Sequence, residues 1–164
     1  MKKNSVLYII TLVLLIGGLA FGFGPVAQKT SGEYISFYQS LNYLNLGRYT
    51  PANIVTTIFL ACSVAVVLVC FILTLVKPEM ASGLKCFALI TFALVAMCGG
   101  AMMGCSYIFF RYYGPVGAGI EGSYATTGYT GWAVIVSSVI SILGGLFMIP
   151  LAIGSLPKKE EKPY

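Results

Sequence analysis

The sequence has no histidine and no aspartate, and its five glutamates, Glu33, Glu79, Glu121, Glu160 and Glu161, all fall outside its long apolar stretches. Acid–base catalysis, nucleophilic triads and ordinary zinc sites rest on histidine or on carboxylates at close range, so an enzyme is not expected. Proton relays and voltage sensors need ionisable groups at membrane depth, which disfavours a proton-coupled pump on the same ground. Charge is scarce altogether, at 9% of 164 residues against 58% hydrophobic, a balance well outside soluble composition.

The apolar residues fall into four stretches that contain no Asp, Glu, Lys, Arg or His: 6–24, 52–76, 86–110 and 132–156. Each is long enough, at about 1.5 Å per helical residue, to cross a hydrocarbon core of about 30 Å. The expectation is an all-α integral membrane protein, a single four-transmembrane-helix bundle. The first stretch follows Met1-Lys2-Lys3 and so also resembles a signal peptide. Its apolar run exceeds a typical h-region and no clean small-x-small cleavage site follows, so it is expected to stay as a helix.

Basic residues beside the stretches give an orientation. Lys2, Lys3, Lys77, Lys85, Lys158, Lys159 and Lys162 fall on one side, against Lys29, Arg48 and Arg111 on the other. The larger set places both termini and the 77–85 turn in the cytoplasm, and segments 25–51 and 111–131 outside, in the plasma membrane. The net charge of +5 then reflects topology and attraction to anionic lipid. No basic stripe with interleaved aromatics supports nucleic-acid binding.

In the first outer segment, Thr30-x-x-Glu33 has capping-box spacing, and Tyr34, Phe37, Tyr38, Leu41 and Leu44 recur at steps of three and four before Gly47. The pattern predicts a short outer interfacial helix. The second, 114–131, is rich in Gly, Ser, Thr and Tyr and predicts an irregular loop. Its Gly117-x-Gly119-x-x-Gly122 lacks the preceding strand of a dinucleotide site, so no cofactor is expected. Gly24-Pro25-Val26 with Gly32-x-Tyr34 recurs as Gly114-Pro115-Val116 with Gly122-x-Tyr124, which suggests a tandem two-helix repeat.

All five cysteines, Cys62, Cys70, Cys86, Cys98 and Cys105, lie in the second and third stretches, which leaves no outer disulfide framework and no C-x-x-C motif. They read first as small buried apolar side chains. A sharper alternative is that Cys98, Met102 and Cys105, which share one helical stripe, pass a soft metal such as Cu(I). The opposite side carries Ala96, Gly100 and Gly104 at four-residue spacing; Gly18 and Gly22, Ala61 and Ala65, and Ser137, Ser141 and Gly145 repeat it elsewhere. Such residues let helix backbones approach closely and are expected to hold the bundle together. Pro150 is expected to kink or loosen the last helix near its end.

In helix count and cytoplasmic ends this topology resembles tetraspan proteins in the broad sense of claudins, tetraspanins and MARVEL-type proteins. The resemblance goes no further: the paired outer cysteines of claudins and tetraspanins are absent, and the only tryptophan, Trp132, starts a span. Nine of the eleven tyrosines, Tyr34, Tyr38, Tyr43, Tyr49, Tyr107, Tyr112, Tyr113, Tyr124 and Tyr129, lie in or beside the outer segments, while Tyr8 and Tyr164 are on the other side. Aromatic belts occupy both interfaces, so this one-sidedness points to contact with a membrane-protein partner or a second copy. The expected function is that of a non-enzymatic accessory subunit or scaffold. The alternative is a small channel or facilitator for an uncharged solute, an ion or Cu(I), with Thr56, Thr57, Ser63, Ser137, Ser138 and Ser141 lining its path.

Overall fold

The computed structural model describes residues 3–22, 24–29, 34–36, 50–77, 80–117, 124–125 and 132–156. Four helices dominate: α1 (Lys3–Phe21), α2 (Thr50–Val76), α3 (Ser82–Gly117) and α4 (Trp132–Gly154). All four are long and apolar enough to cross a membrane. Their ends follow local chemistry. Pro51 sits in the first turn of α2, where its missing N–H would have had no helical partner. Lys77 N–H still donates to Leu73 O at 2.9 Å, closing the last turn of α2 as the chain leaves the helix. Ala81 turns it in the left-handed region (φ 51°), a conformation that a non-glycine residue rarely adopts. At the end of α4, Ser155 N–H returns to Ala152 O.

The helices form a ring in which each packs on its sequence neighbours and α4 closes on α1; the α3–α4 seam is the broadest and α1–α2 the narrowest. Registers are antiparallel. Asn4 Nδ2 reaches Gly154 O at 3.3 Å while Gly18 meets Ser137, and Ser63 reaches Phe92 while Leu60 meets Gly99. Tyr8, Leu15, Leu60, Val67, Leu89, Met103, Val134 and Met148 fill the interior. The outside is as apolar as the inside: Val13, Phe87 and Ile153 are 64%, 69% and 63% exposed, whereas Thr11, Thr56, Ser63, Ser137 and Ser141 are fully buried. Soluble domains show the opposite distribution.

A small sheet caps the bundle at the end opposite the termini. Strands β1 (Pro25–Lys29), β2 (Tyr34–Ser36) and β3 (Tyr124–Ala125) lie in the order β2-β1-β3, both outer strands antiparallel to β1. Ala27 pairs with Ile35, Gln28 with Tyr34 and Ala125, and Lys29 with Tyr124.

Two expectations are corrected here. The outer interfacial helix does not form at Tyr34–Ser36, which is strand; the rest of its span, 30–33 and 37–49, lies outside the described residues. Tyr and Ile are good strand formers, and β1 offers their backbone a ladder that a short solvent-facing helix would have to do without. The expected loop at 114–131 is also not irregular throughout. α3 continues to Gly117 and β3 occupies Tyr124–Ala125. Once a helix is running, each further residue adds a hydrogen bond, and Pro115 and Gly117 take effect only in the last turn. α4, for its part, runs through Pro150 to Gly154.

Candidate functional site at the helix seams

The close approaches centre on α4. A Cβ on Gly18 would overlap the Ser141 side chain, and Ser137 Oγ donates to the Gly18 carbonyl, so the α1 backbone rests directly on the serines of α4. One turn on, a Cβ at Gly144 would meet Leu15 Cδ2 at 2.7 Å. Against α3, a Cβ at Gly100 would meet Ser138 O at 2.8 Å and Ile142 Cγ1 at 2.9 Å, and one at Gly145 would meet Met97 Cγ at 2.7 Å and Ala93 O at 2.8 Å. Ser138 Oγ sits between Gly100, to whose carbonyl it donates at 2.6 Å, and Gly104. Ala96 is buried on the same face, and Gly22 is buried just past the end of α1. Gly144 and Gly24, whose added Cβ would overlap Ala133, belong to this set although the four-residue spacing did not single them out. The Ser-x-x-x-Ser-x-x-Gly-Gly run in α4 was the available signal.

α2 differs. Ala61 and Ala65 are exposed, so their small faces are not buried in the bundle. Ser63 joins α2 to α3 by sharing its hydroxyl between Phe59 O (2.7 Å) and Phe92 O (3.2 Å). Towards α1 the contact is aromatic: Tyr8 and Phe71 have ring centroids 5.4 Å apart, and the Tyr8 hydroxyl lies 3.5 Å from Thr74 Oγ1, which itself donates to Cys70 O at 2.7 Å. Tyr8, counted in sequence as a residue of the cytoplasmic interface, is thus a core residue at 2% exposure. Lys85, counted as a topology signal, is also 2% exposed, in the first turn of α3.

Most interior hydroxyls are engaged. Thr11 donates to Leu7 O at 2.8 Å, and Ser63, Ser137 and Ser138 bond to carbonyls as above. Thr56 Oγ1 and Ser141 Oγ are buried with no partner among the described residues. An unsatisfied buried hydroxyl costs about 1–3 kcal/mol. Four separate serines and threonines bound to carbonyls and interleaved with Leu60, Leu89, Met103 and Val134 make a packed interior.

The sulfur stripe lies elsewhere. Cys98 and Cys105 face outward and Met102 is half-buried, on the side of α3 away from the bundle axis, and Cys62 is exposed on α2. Among the described cysteines only Cys70 is fully buried, so the expectation of small buried side chains is corrected for Cys62, Cys98 and Cys105. The helical period that turns Ala96, Gly100 and Gly104 inward turns these residues out. No group of three His, Cys, Asp or Glu side chains among the described residues is placed to hold a metal.

At the sheet end, β1 of segment 25–51 pairs with β3 of segment 111–131. Tyr34 of β2 and Tyr124 of β3 flank β1 at the adjacent positions Gln28 and Lys29. The strand leaves α1 past Gly24, and beside it Phe21 meets Trp132 edge to face at 6.2 Å. Of the two repeat copies, Gly24-Pro25-Val26 leads into β1, whereas Gly114-Pro115-Val116 lies in the last turns of α3. Tyr107, Tyr112 and Tyr113 are also in α3, while Tyr38, Tyr43, Tyr49 and Tyr129 lie outside the described residues. No protein-family model, curated protein or solved structure matches the chain.

Proposed function

We propose that this chain is an integral protein of the cell membrane, with both termini cytoplasmic, that acts through protein contacts as an accessory subunit or scaffold and not as an enzyme. The inverted distribution of side chains supports the membrane assignment: hydroxyls and glycines inside, Val13, Phe87 and Ile153 outside. A bilayer removes the reason to hide large apolar residues and leaves close packing and hydrogen bonds to join the helices.

The observation that favours contact over transport is the engagement of interior hydroxyls by backbone carbonyls amid buried leucine, valine and methionine. A conducting path needs polar groups turned toward a lumen. The recognition surface is assigned to the segments that carry Tyr34, Tyr38, Tyr43, Tyr112, Tyr113, Tyr124 and Tyr129, for a membrane-protein partner or a second copy.

Two measurements test this. In a background with the native cysteines replaced, Ser123→Cys is expected to react with an impermeant thiol reagent in intact cells and Ser82→Cys is not; the reverse pattern overturns the orientation. Purified protein in liposomes is expected to show no saturable flux, and a partner retained in mild detergent is expected to be lost when Tyr38 and Tyr124 become Ser, with helix content unchanged. Saturable flux would establish the small channel or facilitator instead.

A further inference from the structure

The four apolar spans differ in length. Among the described residues α1 offers 18, Asn4–Phe21, against 22 in α2 (Val55–Val76), 24 in α3 (Ser82–Cys105) and 23 in α4 (Trp132–Gly154). At about 1.5 Å per residue, α1 reaches about 27 Å and α3 about 36 Å, and α3 continues as helix to Gly117. α1 is bounded at both ends. It opens at Lys3, and the exposed Asn4 is held to Gly154 O at 3.3 Å. At its other end Gly22 N–H and Gly24 N–H return to Leu19 O and Phe21 O, and at Pro25 the backbone passes into β1, which pairs with β2 and β3. A small open sheet leaves backbone groups unpaired at its edges and stays out of hydrocarbon. Between these limits α1 turns Val6, Ile9, Ile10, Val13, Ile16 and Phe21 outward. Tilting does not lengthen it, because a tilted helix spans less of the bilayer normal. Nor do α1 and α3 tilt independently, since both are seated on α4, where Gly144 rests against Leu15 and Gly145 against Ala93 and Met97.

We propose that the bundle is a hydrophobic wedge, thin along α1 and thick along α3 at the opposite corner of the ring, and that the α1 face gathers phospholipids whose acyl chains are shorter than those beside α3. Lipid beside a short span either compresses or gives way to lipid of shorter chain, and each ångström of mismatch left uncorrected carries a penalty. Exchange of lipid removes that penalty without moving a helix, a movement that the glycine contacts with α4 oppose. The inference rests on the membrane reading above and needs neither a protein partner nor a particular orientation.

Fluorescence quenching by brominated lipid in proteoliposomes tests it. The only tryptophan is Trp132, so Trp132→Phe gives a background in which Val13→Trp and Leu94→Trp each report one face. The two positions are similarly exposed, at 64% and 57%, and the contacts of Gly144 with Leu15 and of Gly145 with Ala93 and Met97 set them at the same level of the bundle. Quenching by a fixed fraction of dibrominated dioleoylphosphatidylcholine is measured with dimyristoleoyl- or dierucoylphosphatidylcholine as the competing lipid. Val13→Trp is expected to favour the short-chain over the long-chain competitor by at least about twofold more than Leu94→Trp does. Equal preference at the two positions, or the reverse order, overturns the wedge and leaves the membrane reading standing. Absence of quenching at both positions overturns the membrane reading and the wedge with it. Ile10→Trp and Ile90→Trp, also exposed, repeat the comparison nearer the termini, so misfolding of one variant leaves the contrast measurable.

Discussion

α4 and α2 are similar in length, 23 and 27 residues, and both are strongly apolar, yet they are held by different atoms. α4 offers Ser137, Ser138, Ser141, Gly144 and Gly145, and at each of these except Ser141 the structure records either a bond to a neighbouring backbone or no room for a Cβ. α2 has no glycine and meets its neighbours mostly through Leu60, Val67, Cys70 and Phe71, its backbone-directed contacts being Ser63 to Phe92 O and Phe59 and Leu60 against Gly99. Where lipid tails are as apolar as leucine, side-chain contact of the second kind distinguishes helix from lipid only weakly, while backbone approach and hydroxyl bonds distinguish them well. The three helices joined by α4 and its seams therefore carry most of the backbone-to-helix contacts of the bundle, and α2 is held mainly by side chains.

The strongest way to break that contrast is to fill an α4 seam. Gly100→Leu places a side chain where even a methyl group would meet Ser138 O at 2.8 Å and the Ile142 backbone N at 3.2 Å. Backbone cannot rotate away as a side-chain tip can, so the helices must separate. Overpacking of this kind costs about 1–3 kcal/mol. A lower midpoint of thermal unfolding in detergent is expected, with loss of the monodisperse species in the more severe case. An unchanged midpoint would mean that the α3–α4 seam is not the rigid one.

The same contrast explains which features the sequence discloses. The four helices are legible because an uninterrupted apolar run of this length has few alternatives. Gly18, Gly100, Gly104 and Gly145 are legible as seam residues because four-residue spacing projects them on one face. Ala61 and Ala65 have the same spacing and lie outside, since spacing reports a face but not which way it is turned. Lys85 and Tyr8 look interfacial by position and are buried, because a long side chain near a helix end reaches inward as readily as outward. Strand β2 was hidden for a different reason. Its partner, β1, had no visible strand pattern of its own, and Tyr34 fell within a three-to-four spacing with Phe37 and Tyr38 that reads as helix. The pairing of β1 with β3, nearly a hundred positions on, depends on the fold bringing the two ends of the bundle cap together.

A finer comparison uses two serines. Ser138 gives its hydroxyl to another helix, at 2.6 Å from Gly100 O, whereas Ser63 bonds chiefly to its own helix, at 2.7 Å from Phe59 O, and reaches Phe92 O only at 3.2 Å. Interhelical hydroxyl bonds in membranes contribute about 0.6 kcal/mol on average and up to about 1.7. Ser138→Ala is expected near the upper end of that range and Ser63→Ala near or below the average, both read as shifts of the unfolding midpoint in one detergent. Equal effects would show that the α2–α3 seam is as specific as the α3–α4 seam, and the distinction between the two helices would fail.

The smallest effect is expected where the sequence pattern is most suggestive. Ala61→Leu adds the same bulk to α2 that Gly100→Leu adds to α3, but Ala61 is exposed and lies among Ile58, Leu68 and other outward-facing residues. Its new side chain is expected to enter lipid or detergent, which resembles leucine in polarity. Leucine is also a good helix former, so the local cost is small. The unfolding midpoint of purified protein is expected to change by no more than an equivalent of about 0.5 kcal/mol. A loss as large as that of Gly100→Leu, or dissociation of a dimer into monomers in the same detergent, would mean that Ala61 meets another helix after all. That helix would have to come from a second chain, and α2 would then be as specific as α4, with its specificity directed outward.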